Sequence, residues 1–176
     1  MAQSLDYLLK FVLVGAECVG KSSLLSRYAE KTFSKLYVPT IGIDFSTRSD
    51  VVNGERLKIQ IWDSSGQERF KQVVWPYFRT AAGIVLVYDI TDEASFIKIS
   101  QLMGEIKEEC HDAVFMVVGN KCDLESSRVI SKEKGESFAD EHGCKYMETS
   151  ASDNVNVNEM IMEVAETVLS RKQATD

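Results

Sequence analysis

The chain has 176 residues, 44% of them hydrophobic, and a formal net charge of −7; it is long enough for one large core and has the apolar share of a globular protein. The acidic balance and the lack of any basic block exclude a general nucleic-acid binder. Cys18, Cys110, Cys122 and Cys144 show no metal-ligand spacing with one another or with His111 and His142, which argues for reduced cytosolic thiols and surface histidines, and no stretch reads as a signal peptide or a membrane span.

In chain order, Tyr7–Val14 reads as a buried strand ending in the apolar run Phe11-Val12-Leu13-Val14. It leads into Gly15-Ala16-Glu17-Cys18-Val19-Gly20-Lys21-Ser22, which matches the phosphate-binding pattern G-x-x-x-x-G-K-[ST]. Glycines let the backbone curl so that several N–H groups face one anion. A helix predicted over Lys21–Glu30 adds the positive end of its dipole. Lys21 is suited to reach the terminal phosphates as a point charge, and the Ser22 hydroxyl to ligate Mg²⁺. The candidate phosphate contacts are Glu17, Cys18, Val19, Gly20, Lys21, Ser22 and Ser23. Taken alone, the stretch also fits a plain glycine turn between a strand and a helix.

A loop follows, Tyr37-Val38-Pro39-Thr40-Ile41-Gly42. Thr40 can offer its hydroxyl to Mg²⁺ and its N–H to a γ-phosphate, and Tyr37 is a further candidate nucleotide contact. Ile43–Val52 and Arg56–Asp63 form a predicted hairpin about Asn53-Gly54, a strong turn pair. Leu57, Ile59 and Ile61 alternate with Lys58, Gln60 and Trp62, as in a strand with one buried face. The strand runs into Asp63-Ser64-Ser65-Gly66-Gln67-Glu68. Asp63 can hold Mg²⁺ through water, the Gly66 N–H can meet a γ-phosphate where a side chain would obstruct, and Gln67 can orient an attacking water. Exposed loop residues are the alternative for Thr40 and Gln67. Arg69–Arg79 reads as a short helix interrupted near Pro76.

Gly83–Asp89 is continuously apolar, as in a strand covered on both faces. A helix is predicted over Ala94–Glu109 and a strand over Ala113–Val118. Directly after that strand, Asn120-Lys121-Cys122-Asp123 gives the pattern N-K-x-D. A partly buried Asp123 carboxylate can accept from N1–H and the 2-amino group of guanine. Adenine has neither donor. Two lost charge-assisted bonds at about 1.5–3 kcal/mol each amount to at least a hundredfold discrimination. Asn120 can tie this loop to the phosphate loop, and the Lys121 stem can cover one face of the base. A polar turn is the alternative for this segment in isolation. Ser131–Glu141 reads as a helix and Lys145–Glu148 as a strand, after which Ser150, Ala151 and Ser152 can close a base pocket with backbone N–H groups. Asn154–Arg171 is an amphipathic helix with Val157, Met160, Ile161, Val164, Val168 and Leu169 on one side.

The order of elements predicts an α/β fold, and the pattern at Gly15–Ser22 makes it similar to the phosphate-loop NTPases. Its six-stranded, mostly parallel sheet has one antiparallel strand and helices on both faces. The motif loops then gather at the strand carboxyl ends, where such sheets bind ligands. Residues 1–176 read as a single domain.

Four nucleotide motifs in this order and spacing resemble the Ras-like small GTPases. Ile41-Gly42-Ile43-Asp44-Phe45, Lys58-Ile59-Gln60-Ile61-Trp62-Asp63, Gln67-Glu68-Arg69-Phe70 and Leu86-Val87-Tyr88-Asp89-Ile90-Thr91 are similar to the Rab proteins among them. The likeness spans about residues 7 to 171. It implies GTP hydrolysis to GDP, with Lys21 and Mg²⁺ stabilising phosphate charge and Gln67 placing the water. It also implies a switch in which Thr40 and Gly66 hold two loops, roughly 33–42 and 64–80, while the γ-phosphate is present. Phe33 matches the aromatic that edges the guanine. Phe45, Trp62 and Tyr77 match the patch that effectors contact, and Trp62, out of phase with the core-facing residues, is expected to be an exposed anchor. For Phe45 and Tyr77 a partly buried position stays open. The implied partners are an exchange factor, a GTPase-activating protein and effectors in vesicle traffic, with a monomeric chain and no nucleic acid.

Several positions depart from that pattern. Glu17 and Cys18 stand where relatives have small residues, and Glu17 adds charge and bulk beside the γ-phosphate. Ser64-Ser65 replaces Thr-Ala, Ser152 replaces Lys beside the guanine, and Thr80 replaces Gly. The chain closes on Arg171-Lys172-Gln173-Ala174-Thr175-Asp176 without a cysteine for prenylation. A truncated tail is the expectation, the chain as it stands being cytoplasmic. Membrane attachment, on the cytoplasmic face of endomembranes or vesicles, then depends on a prenylated segment beyond residue 176. A GTP-binding scaffold with little hydrolysis is the second reading, motivated by Glu17 and Ser65. A small phosphate-loop kinase is a third, for which N-K-x-D would be surplus.

Overall fold

The computed structural model of the chain describes residues 6–30, 43–64, 76 and 78–175. In chain order the elements are β1 Tyr7–Val14, α1 Lys21–Glu30, β2 Ile43–Val52, β3 Glu55–Ser64, β4 Gly83–Asp89, α2 Glu93–Glu109, β5 Val114–Asn120, a 3₁₀ turn Glu125–Ser127, α3 Lys132–Glu141, β6 Lys145–Glu148 and α4 Val157–Thr175. The six strands form one sheet in the order β2-β3-β1-β4-β5-β6. Only β2 and β3 pair antiparallel. Their two-residue turn is Asn53 (φ 51°) and Gly54 (φ 85°), the left-handed pair that matches strand twist.

The continuous apolar run of β4 reflects burial from both sides. Val85 and Val87 join the cluster made by α1 and α4, with Leu9, Phe11 and Leu13 of β1 and Ile59 and Ile61 of β3. Ile84, Leu86 and Tyr88 join a second cluster, with Phe96, Ile99 and Met103 of α2 and Ala139 of α3. All six residues expected on the buried side of the last helix are buried there. The sheet is thereby fixed by two cores, and the carboxyl ends of β1, β3, β4, β5 and β6 are held at one edge.

Element ends differ from the sequence reading for local reasons. Asp92 caps α2 by accepting from the Ala94 N–H, so the helix begins at Glu93 rather than Ala94. Ser131 caps α3 through the Lys134 N–H and precedes the helix rather than starting it. α4 begins at Val157 instead of Asn154, because Asn154 (φ 54°) and Asn156 (φ 58°) are left-handed and cannot start a helix. It continues to Thr175, and β5 runs two residues further than predicted, to Asn120. The short helix expected over Arg69–Arg79 lies almost wholly outside the described residues. His111 is exposed, but His142 is half-buried, with its ring 4.7 Å from that of Phe138.

One close approach sets how tightly α4 sits on the sheet. A Cβ on Gly83 would lie 2.5 Å from Val164 Cγ1 and 2.8 Å from Phe11 Cδ1. Gly83→Ala is expected to cost about 1–3 kcal/mol through overpacking. Urea unfolding should show a lower midpoint with an unchanged slope; an unchanged midpoint would mean that β1 and α4 yield without cost.

Candidate functional site

The loop Gly15–Gly20 leaves β1 at the sheet's carboxyl edge and is shaped by contacts on every side. Gly15 (φ 151°) packs so closely on β4 that a Cβ would stand 2.2 Å from the Val87 carbonyl oxygen. Gly20 (φ 99°) leaves 2.3 Å between its missing Cβ and Asn120 Nδ2. Neither position has room for a side chain, and neither backbone conformation suits one.

The loop carbonyls are engaged by side-chain donors. Lys21 is buried, and its Nζ donates to Gly15 O and Ala16 O, each at 2.7 Å. Lys121 Nζ donates to Cys18 O at 2.7 Å and pairs with Asp89 Oδ2 at 2.8 Å. Asn120 Nδ2 donates to Val19 O at 2.9 Å. Carbonyls turned toward these donors leave the loop amides, together with the start of α1, as a concave donor surface for an anion. Burial lowers the Lys21 pKa to about 8, against the opposing pull of Asp63, Cys18 and Glu17. Ser23 is half-buried beside Ser22, while Glu17 and Cys18 are exposed.

The exposed Ser22 hydroxyl donates to a carboxylate oxygen of the buried Asp63. Two hard oxygen donors thus stand together next to Lys21. No group of three or more His, Cys, Asp or Glu suited to a metal ion occurs among the described residues. That donor set fits Mg²⁺, which is held by one or two protein oxygens and completed by substrate phosphates and water. Ser64, which follows Asp63, is buried and donates to Leu13 O at 2.6 Å, fastening the end of β3 to β1.

Beyond the loop, Asn120 is buried at the end of β5. Its Oδ1 accepts from Thr149 Oγ1 at 2.9 Å, and Cys122 N donates to Thr149 O at 3.0 Å. Asp123 is exposed, not partly buried as expected, and its Oδ1 accepts from Ser150 Oγ at 2.7 Å. Ser150 is buried, and its N–H and carbonyl are both bonded to Val155. Its N–H is therefore spent; in the strip Ser150–Ser152 the amides with no partner among the described residues are those of Ala151 and Ser152. Arg27 of α1 donates to Ala151 O at 2.8 Å and Ser152 O at 3.0 Å. That fixes the strip from the carbonyl side.

Arg27 and Thr149 carry no motif, and Asp89 stands within one of the quoted stretches; sequence reasoning gave none of the three a role. It gave none to a polar network near this segment either. Arg128 makes a two-pronged pair with Glu148 at 2.8 Å per contact. Glu148 accepts from Tyr146, and Tyr146 meets the Tyr88 hydroxyl, both at 2.8 Å. Burial pushes the Tyr88 hydroxyl up to about 12. The only sequence signal was an acid closing an apolar strand, at Asp89 and again at Glu148.

Phe33, Tyr37, Thr40, Gly66, Gln67 and Tyr77 lie outside the described residues. Phe45 is 51% exposed and stacks on Trp62 with ring centroids 4.6 Å apart. Trp62 is half-buried rather than exposed: it packs on the α2–α3 core, with Lys10 Nζ 5.0 Å from its ring centre.

A model of the Ras family matches residues 10–170. Ras-related protein Rab-13 from Mesocricetus auratus is 46% identical over 170 residues, covering 96% of this chain and 84% of that protein. Rab-13 from Bos taurus is 45% identical over the same span. Ras-related protein RABE1d from Arabidopsis thaliana is 46% identical over 173 residues, 97% of this chain and 80% of its own length.

Arg27 is the strap whose removal should act locally. Arg27→Ala frees two carbonyls at the strip, at a cost of about 1–3 kcal/mol for hydrogen bonds to a charged group. Hydrogen exchange should quicken at Ser150 and Asp153, whose amides are bonded to Val155 O and Ser150 Oγ, while β4 amides stay protected; unchanged exchange at both would show that the Ser150–Val155 bridge suffices alone.

Proposed function

The chain belongs to the Ras family of small GTPases, with Rab-related proteins among its relatives, and on that premise we propose how its own residues carry a GTP/GDP switch in vesicle traffic. The chain binds GTP and GDP and hydrolyses GTP to GDP. The observation that carries the residue assignment is the Asn120 bridge, which joins the N-K-x-D segment to the phosphate loop through Val19 O. A base reader and a phosphate cradle are thereby one rigid unit.

Within that unit the amides of residues 17–23 and the Lys21 ammonium bind the phosphates. Asp123 reads the guanine edge from its carboxylate, steadied by Ser150, and the Ala151 and Ser152 amides approach the base from the other side. Lys121, held between Cys18 O and Asp89, lays its stem along the base. Phe33 and Tyr37 close over the nucleotide. Ser22, Thr40 and Asp63 would hold Mg²⁺, whose role when bound is to neutralise charge on the β- and γ-phosphates. Gln67 orients the attacking water. Positioning and charge, not a protein base, carry phosphoryl transfer, which suits a site without a histidine among its candidate residues. No arginine within the chain is assigned to the transition state, so turnover is slow until an activating protein binds.

The γ-phosphate holds Thr40 and Gly66, and its loss releases their loops. Effectors read that difference beside Phe45, Trp62 and Tyr77, and an exchange factor resets it. Residues 1–176 act as one GTPase domain, as a monomer, in the cytoplasm. No helix among the described residues is long and apolar enough to cross a membrane. Attachment to the cytoplasmic face of vesicles would depend on prenylation.

Asp123→Asn tests the base reading. An amide donates where the carboxylate accepted, so it suits xanthine, which has a carbonyl in place of the 2-amino group. Guanine nucleotide affinity should fall at least about a hundredfold with xanthine nucleotides gaining; a preserved guanine preference rejects the assignment. Hydrolysis is checked by single-turnover phosphate release. Gln67→Leu should slow the activated reaction by about a hundredfold or more. A rate unchanged by that substitution, and by any activating protein, would favour a binding scaffold whose exposed Glu17 blocks turnover.

A further inference from the structure

Glu17 is the one charged residue between β1 and α1. Its flanking carbonyls are pinned, Ala16 O by Lys21 Nζ and Cys18 O by Lys121 Nζ, each at 2.7 Å. The backbone on either side of residue 17 is thus tied by two ammonium groups. The side chain is exposed and pairs with no cation among the described residues. It lies within Coulomb reach of the Lys21 ammonium, whose charge it favours.

A carboxylate in such a loop opposes what the rest of the loop does. Amides, a helix start and a buried lysine all favour an anion, whereas Glu17 repels one. The repulsion grows with the charge of the ligand. A nucleoside triphosphate exceeds the diphosphate by one phosphate, added at the end of the chain of phosphates that Lys21 serves.

We infer that Glu17 determines specificity between nucleotide states, weakening the triphosphate more than the diphosphate and so biasing the chain toward its GDP form. The inference rests on the reading of Gly15–Ser22 as the phosphate cradle. Because the carboxylate is exposed, water screens it, and the expected bias is a factor of about three to ten in relative affinity. Spontaneous exchange would then load a smaller share of GTP than an uncharged loop would, and a stable GTP form would depend more on its partners.

The test uses the full chain, with affinities measured by displacement of a fluorescent GDP. The competitors are GDP and the non-hydrolysable β,γ-imido analogue of GTP. Glu17→Gln removes the charge at constant size, and Glu17→Asp keeps it. Glu17→Gln should favour the analogue over GDP by about three- to tenfold relative to the unmodified chain, and this gain should shrink at high salt. Glu17→Asp should stay close to the unmodified ratio. A ratio unchanged in Glu17→Gln, or shifted equally by both substitutions, overturns the inference while the cradle stands. Failure of the unmodified chain to bind either nucleotide overturns the cradle and the inference together.

Discussion

The buried carboxamide of Asn120 is the constraint on which the site turns. Its nitrogen holds the phosphate loop at Val19 O, its oxygen accepts from Thr149, and its backbone carbonyl accepts from Ile90 N at 3.1 Å. Three segments are therefore indexed to one residue, two of them through its side chain. An amide is suited to this because it donates and accepts at once. Aspartate would lack the donor, and leucine would leave two buried groups unpaired. The glycine at position 20 belongs to the same device, since any Cβ there would occupy the place of Asn120 Nδ2.

Such indexing is useful only if the strand ends are themselves fixed. β4 provides this. It is buried on both faces, and its carboxyl end supplies the Val87 carbonyl against Gly15 and the Asp89 carboxylate for Lys121. The two cores act on the site through this strand. α1 and α4 press from one side, and α2 and α3 from the other. α1 also reaches the site directly, because the helix that opens at Lys21 presents Arg27 to the Ala151–Ser152 strip. Phosphate loop and base strip are hence joined twice, once by Asn120 and once by the length of α1.

The six strands, the hairpin and most of the helices were legible because periodicity and turn chemistry agree along most of the chain, whereas the order of the strands was not read from sequence. Gly83–Asp89 could be read as doubly buried from its unbroken apolar run, and Asn53-Gly54 as a two-residue turn. Residues whose partners are distant in sequence were not legible. Arg27 bonds a strip 124 residues away, and nothing beside it distinguishes it from any basic residue near the end of a helix. The start of α4 was placed three residues early, at Asn154, whose left-handed backbone belongs instead to the turn closed by the Ser150–Val155 bridge. Trp62 alternates out of phase with the core-facing residues, yet it is half-covered, because the second face of the sheet has a core of its own. Strand phase tells which face a side chain takes, not how much covers that face.

A chain of net charge −7 that binds a polyanion must do so through local fields. Most of its cations at this edge are bonded to backbone carbonyls: Lys21 to Gly15 and Ala16, Arg27 to Ala151 and Ser152, and Lys121 to Cys18 with Asp89 as its counter-ion. Carbonyl oxygens satisfy the donors without cancelling their charge. Lys21 is the extreme case, desolvated enough for its pKa to fall to about 8 yet still charged at neutral pH. A desolvated ammonium hydrogen-bonded to carbonyl dipoles, with only the partial support of nearby acids, gains more from an arriving phosphate than a hydrated one, because the fold has already met the cost of burial. The same geometry makes Lys121 a weaker attractor, its charge being shared with Asp89, and leaves Glu17 as the exposed acid within the loop. Attraction is therefore concentrated at Lys21 and the amides around it. On the proposed assignment the nucleotide would meet the groups that the sheet and Asn120 fix in place, and at short range their field would outweigh that of the acidic remainder of the surface.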